Sequence, residues 1–290
     1  MTSAIEQELK EMREIAEGHA FSVRQCIAQR SRLFGIFKVV GRVASFDDES
    51  RSLNAWQSLV AAFKGSHRSN TKSRLAKVCS LIESSHSQFS QDILALLIAR
   101  GKRDGYFVEF GACDGMLISN SLLLEQEFGW KGILSEPSPY WQEALRKNRT
   151  CSIETRCVWS ESGKTLLFGE MADDQYMTES GVLETTLVQN RDLSNQYEVQ
   201  TISLRDMLRE HKAPKFIDLL SIDTEGSELK ILETAPFDEY KFGFICVEHK
   251  TDLQEKPIRK LLKGHGYKQV LRDISGHDGF YIRKDSLDAE

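Results

Sequence analysis

From residue 87 onward, short apolar runs alternate with stretches of helical spacing, and several of the runs end on or next to an acid. The runs are YFVEF (106–110), GILSE (132–136), IDLLSID (217–223), GFICVEH (243–249) and GFYIR (279–283), each short enough to be a strand. Helical patterns lie between them, for example over 140–147 and 227–234. Strands alternating with helices predict an α/β fold, a doubly wound parallel sheet with helices on both faces. Crossover handedness then places the strand C-termini along one edge, where ligands of such sheets bind. Glu109, Glu136, Asp223 and Glu248 all fall at those ends.

Residues 1–86 follow a different grammar. Ile5, Leu9, Met12 and Ile15 recur at helical spacing, and further helical patterns cover about 51–64 and 72–83, so a helical accessory region is expected ahead of an α/β domain at 87–290. The apolar stretch Leu33 to Ala44 is too short to span a bilayer and carries two cations, which leaves peripheral membrane contact as its sharpest reading and a buried element as its plainer one. The charged N-terminus lacks the apolar core of a signal peptide. Six cysteines without paired spacing suit free thiols in a reducing cytoplasm. A net charge of −5 argues against a nucleic-acid partner. Nothing in the chain sets an oligomeric state.

The stretch FVEFGACDGMLISNS (107–121) puts Glu109, Gly111 and Gly115 where a buried strand should turn into a helix. Gly111 permits a tight turn and a close approach of ligand to backbone. A dinucleotide fingerprint would require three glycines and a later acid. Here the middle glycine is Cys113, and an acid precedes the turn. Such an acid repels pyrophosphate and suits a ligand with an amino group and a positive charge, as in S-adenosylmethionine. Glu136, at the end of the next strand, is then placed to accept hydrogen bonds from ribose hydroxyls.

SQFSQD (87–92), FVEFGACDG (107–115), SNS (119–121), GWKGILSEPSP (129–139), SIDTEGSE (221–228) and ICVEHK (245–250) together resemble the FkbM-type methyltransferases. The six motifs occur in the family's order and span the chain from residue 87 to about 283. The resemblance implies a Rossmann-like methyltransferase domain that binds S-adenosylmethionine and methylates a hydroxyl of a sugar, glycan or natural product. It places Glu109, Gly111, Gly115, Asn120 and Asp223 toward the cofactor, Glu136 at its ribose, and Val158 and Trp159, after a weak third strand RCVWS, near its adenine. The chain departs from the family's common residues at Cys113 and Lys250.

A hydroxyl acceptor needs alignment and a base. His249 titrates nearest neutrality and is the expected base, with Asp223 and Glu248 orienting it or holding the acceptor; flanking acids should raise its pKa. Asp223, Glu225 and Glu248 are also hard oxygen ligands that could hold Mg²⁺. The polar segment 169–198 lacks clear periodicity and reads as a lid or an exposed connection. Two rival functions share the same fold: a catalytically inactive binding module, and an NAD-dependent oxidoreductase, which Glu109 disfavours.

Overall fold

The computed structural model describes residues 81, 84–172, 178–185, 192–272, 275 and 277–283. The expected helices of residues 1–80 and the Leu33–Ala44 stretch lie outside these. The chain enters through α1 (Gln91–Ile98) and β1 (Tyr106–Phe110), followed by α2 (Leu122–Phe128), β2 (Lys131–Ser135), α3 (Pro139–Asn148) and β3 (Ser152–Glu154). Next come β4 (Cys157–Trp159), β5 (Thr165–Met171), β6 (Gly181–Val182) and β7 (Leu193–Ser203). The chain then continues through α4 (Leu204–Glu210), β8 (Phe216–Ile222), α5 (Glu228–Glu233), β9 (Lys241–Glu248), α6 (Asp252–Gly264), β10 (Tyr267–Val270) and β11 (Asp278–Arg283).

Among the described residues the strands form two sheets. The larger has seven strands in the order β10-β11-β9-β8-β1-β2-β3. Its strands pair in parallel except where β11 runs antiparallel between β9 and β10. The strands are apolar on both faces, as a sheet covered on both sides requires. Val108, Phe110, Ile133, Leu220, Ile245 and Val247 pack with Met207, Ile231, Leu232 and Ile258 of α4, α5 and α6. Phe107, Leu134, Leu219, Phe244 and Cys246 pack with Leu94, Leu96, Leu124 and Phe128 of α1 and α2 on the other side. This is the doubly wound arrangement the alternating pattern predicts. The chain winds outward from β1 in both directions, so the crevice between the ends of β1 and β8 is the topological switch point.

Two expectations need correction. RCVWS was expected to supply the third strand, yet the sheet's outer strand is Ser152–Glu154, and Cys157–Trp159 pairs with β7 in the second sheet. The cause is local. The Arg156 backbone N–H and guanidinium both donate to Glu154, which turns the chain away after three residues. The polar segment 169–198 is not a plain connection either. With β5 and β7 it builds an antiparallel ribbon extended by β6, giving a four-stranded sheet in the order β4-β7-β5-β6. Much of β7 is exposed, so it shows no apolar alternation to read.

SQFSQD ties α1 to the ligand edge. The Gln91 side-chain amide donates to Asp278 at 2.5 Å, and the Ser87 hydroxyl donates to the Ser119 carbonyl at 3.4 Å. Asp92 accepts from Ser85 and from its neighbour's backbone. Burial pushes the Asp278 carboxyl up to about 7 against the lowering bond from Gln91, and burial likewise pushes Asp92 up to about 6. A folded-state pKa above the unfolded value gives stability that is present at low pH and lost as pH rises through the folded pKa. The contribution of these two carboxyls to conformational stability should therefore fall between about pH 4 and about pH 7. In Asp278→Asn that fall should be shallower by up to about 1.4 kcal/mol per pH unit. Urea unfolding of both proteins at a series of pH values checks this; parallel profiles would exclude Asp278 as a contributor.

Candidate active site

The turn after β1 is made by backbone groups. Gly111 and Ala112 N–H both donate to the Ser135 carbonyl, at 3.1 and 3.3 Å, which joins the ends of β1 and β2. Gly111 has φ +73°, and a Cβ there would lie 2.2 Å from the Asp223 carbonyl oxygen, so the end of β8 also packs against it. Gly115 has φ +77°, and a Cβ there would strike Arg149 and Leu145. Cys113 between them is left-handed at φ +47°, and its N–H donates to Glu136 Oε2 at 2.9 Å.

Glu109 is 3% exposed and turned inward. It accepts from the Asn120 N–H at 2.8 Å and from the hydroxyls of Ser119 and Ser121. Arg149 closes the other side, donating to the Gly115 carbonyl, both serine hydroxyls and Glu125. The sequence reading missed Arg149, which follows α3 and carries no motif of its own. Asn120 donates to the Ser221 hydroxyl at 2.9 Å, and its Oδ1 is buried without a hydrogen-bond partner.

Glu136 forms the opposite wall. Its carboxylate accepts from the N–H groups of Cys113 and Ser138. Burial pushes its pKa up to about 7, against those two bonds, and the nearby Glu170 carboxylate pushes the same way. Glu170, from the second sheet, accepts from the Ser138 and Tyr197 hydroxyls, each at 2.8 Å.

A cavity lies beside these groups at the switch point, though Glu109, Gly115 and Asn120 are not in its lining. Gly111, Cys113, Glu136, Val158, Asp223 and Glu225 line it, and Thr178, Ser180, Gly181 and Val182 of the polar insertion supply a further wall. Trp159 is not in that lining. Its ring belongs to the second sheet's core with Cys157, Leu166, Phe168 and Val199, under the Lys230 ammonium 4.6 Å from the ring centre.

SIDTEGSE divides its acids between two tasks. Glu228 accepts from the N–H groups of Thr224 and Gly226 and so shapes the turn. Asp223 and Glu225 stay with Glu248, their nearest oxygens all within 4.8 Å of one another. Burial, then Glu248 and Glu225, raise Asp223 well above the ordinary carboxylate range, and burial and Glu225 push Glu248 up to about 8.

His249 stands apart from this cluster. Its N–H donates to the His277 carbonyl at 2.6 Å, and its ring Nε2 is buried without a hydrogen-bond partner. The charged groups acting on it are Glu255, His277 and Arg272. The expectation of a raised pKa fails: burial lowers it, and Glu255 opposes that only in part.

The three clustered carboxylates have the chemistry of a Mg²⁺ donor set. They do not fit a divalent ion as they stand. The Lys250 Nζ lies 2.5 Å from Glu225, 3.9 Å from Glu248 and 4.0 Å from Glu179.

A doubly wound sheet with a glycine turn and a buried acid at the next strand end is the architecture of a Rossmann-like α/β protein. Residues 109–268 match the methyltransferase FkbM domain, more than half of the chain, and the protein belongs to that family. No curated protein matches it. Among solved structures it is similar to the methyltransferase FkbM from Methylobacillus flagellatus KT, with 13% identity over 80% of this chain and 59% of that one, and a TM-score of 0.38. It is also similar to the precorrin-6y C5,15-methyltransferase from Geobacter metallireducens GS-15 (12% identity, 66% and 85% of the two chains, TM-score 0.37). A third is the ribosomal protein L11 methylase from Lactobacillus delbrueckii subsp. bulgaricus (13%, 68% and 79%, TM-score 0.34). The chain thus spans about three-fifths of the FkbM structure's length.

The geometry at Gly111 yields a direct test. Gly111→Ala must accommodate both a left-handed alanine and the overlap with Asp223, whereas Gly163→Ala, at φ +79° with nothing within 4 Å, carries the backbone cost alone. Gly163→Ala should cost roughly 1–2 kcal/mol, and Gly111→Ala more than about 3 kcal/mol. Equal losses in denaturant unfolding would show that the Asp223 contact does not constrain the turn.

Proposed function

We propose that the protein is an S-adenosylmethionine-dependent O-methyltransferase acting on a hydroxyl of a sugar, glycan or natural product. The observation that carries this reading is the cavity itself, which joins the Gly111 turn, the Glu136 carboxylate and the Asp223–Glu225 pair at the switch point. The residues fit the cofactor. Each oxygen of Glu136 accepts a single backbone N–H, which leaves acceptor capacity for the two ribose hydroxyls. Val158 in the lining offers an apolar contact for adenine. Asn120, with its orphaned Oδ1, and the turn held by Glu109 and Arg149 shape the methionine end. The bound cofactor would supply an electrophilic methyl on sulfur.

The chain's own residues must align the acceptor and remove its proton. Asp223 lines the cavity with Glu248 beside it, and in this reading the pair takes the proton. Their raised pKa values bring them closer to a hydroxyl's needs than an ordinary carboxylate. His249, off the cavity wall, is the competing base. Thr178 and Ser180 contribute hydroxyl groups on the insertion side, which suits a polyhydroxyl acceptor. The cytoplasm fits unpaired thiols: the four described cysteines are all free.

Glu136→Ala should weaken S-adenosylmethionine binding about tenfold or more, through loss of a charged hydrogen-bond partner. Calorimetry on the folded variant checks it, and wild-type protein that binds no S-adenosylmethionine would favour the binding-module reading. For the base, glycans and secreted metabolites are compared between cells with and without the gene for a gain of one CH₂ in mass. Asp223→Asn should lose that product by about 10²-fold or more while still binding cofactor. His249→Ala should keep most of it. The reverse pattern would restore His249 as the base.

A further inference from the structure

Asp223 and Glu225, which line the cavity, gather with Glu248 in one cluster of three carboxylates, and Glu179 of the insertion approaches the Lys250 ammonium as a fourth. Like charges this close repel strongly unless protons or a cation intervene. Two kinds of cation could serve, a divalent ion or an ammonium. The chain itself supplies the second. Lys250 leaves the end of β9 two residues after Glu248 and turns its ammonium back onto the cluster, 2.5 Å from Glu225 Oε2. The backbone fixes that direction, since the Lys250 N–H donates to Gln254 Oε1 in the first turn of α6. Its side chain is 26% exposed, so the contact is partly withdrawn from water and weakly screened. Burial alone would lower its pKa, but the bond and charge of Glu225, with Glu248 and Glu179, hold it above the ordinary lysine value.

We infer that Lys250 is the resident cation of this cluster, a positioning residue that holds Glu225, Glu248 and Glu179 together beside Asp223, four carboxylates in all, and takes the place a divalent ion would fill. The observation behind it is the seating of one ammonium against oxygens of three of those four carboxylates. It also joins the insertion to the strand edge, because Glu179 belongs to the former and Glu225 and Glu248 to the latter. The inference deepens the reading proposed above for this site. Its test reads ion binding rather than cofactor binding, so the two can fail separately.

The test is calorimetric titration of the full chain with Mn²⁺ and Mg²⁺. Wild-type protein should show no saturable binding in the millimolar range. Lys250→Met uncovers the carboxylates and should bind Mn²⁺ at least about tenfold more tightly than wild type. Lys250→Arg, which keeps the charge, should bind no better than wild type. Adding Glu225→Gln to Lys250→Met should abolish the gain. A merely structural lysine would not create an ion site on removal. Saturable Mg²⁺ binding by wild type that is lost in Glu248→Gln would overturn the inference. So would a folded Lys250→Met that gains no Mn²⁺ affinity. Should Lys250→Met not fold, the wild-type and Lys250→Arg titrations decide: saturable binding by either overturns the inference, and its absence in both supports it.

Discussion

The Ser135 carbonyl accepts from two successive N–H groups, of Gly111 and Ala112, and on the far side of the same turn the Asp223 carbonyl sits where a side chain of residue 111 would be. Three strand ends are thereby brought to one point by backbone alone. The spacing of the site follows from this convergence. Glu136 comes directly after Ser135, and Asp223 directly after β8, so both residues are delivered to the lining of one cavity. A larger residue at 111 would separate the strand ends before any ligand-facing group could be placed.

Around that point the carboxylates divide by how they are satisfied. Glu109 and Glu228 are taken up by local N–H and hydroxyl donors and fix the two loops that bound the cavity. Asp223 and Glu248 are withdrawn from water and have several acidic neighbours, which keeps their protons bound to higher pH. Chemically identical side chains thus serve as scaffold or keep raised pKa values according to their surroundings. Arg149 belongs to the scaffold set: its guanidinium is buried and spent on Glu125, Gly115 and the serine hydroxyls.

The sheet and the acidic edge were legible in the sequence because both depend on short-range signals: apolar runs of strand length, each followed by a polar residue. What could not be read was direction. Glu109 and Glu136 look alike in their motifs, yet one faces the loop behind it and the other faces the cavity. Glu248 and His249 are neighbours in sequence, and successive residues of extended chain point to opposite sides. That alternation is why the acid joins Asp223 while the histidine is left among Glu255, Arg272 and His277. The second sheet stayed hidden for another reason. Its long strand is exposed over much of its length, and its partners arrive from 22 to 44 positions away, as in the pairings of Met171 with Leu193 and of Cys157 with Thr201.

Glu170 gives the second sheet a role beyond covering the cavity. Its carboxylate holds the Ser138 hydroxyl and the Tyr197 hydroxyl together, and its charge reaches Glu136. The ribbon that carries the insertion and the strand end that carries Glu136 therefore share one electrostatic environment. Such a ribbon is not an interchangeable cassette. Replacing the ribbon with a foreign one, β5 included, would also retune the Glu136 carboxyl, unless an acid is retained at position 170.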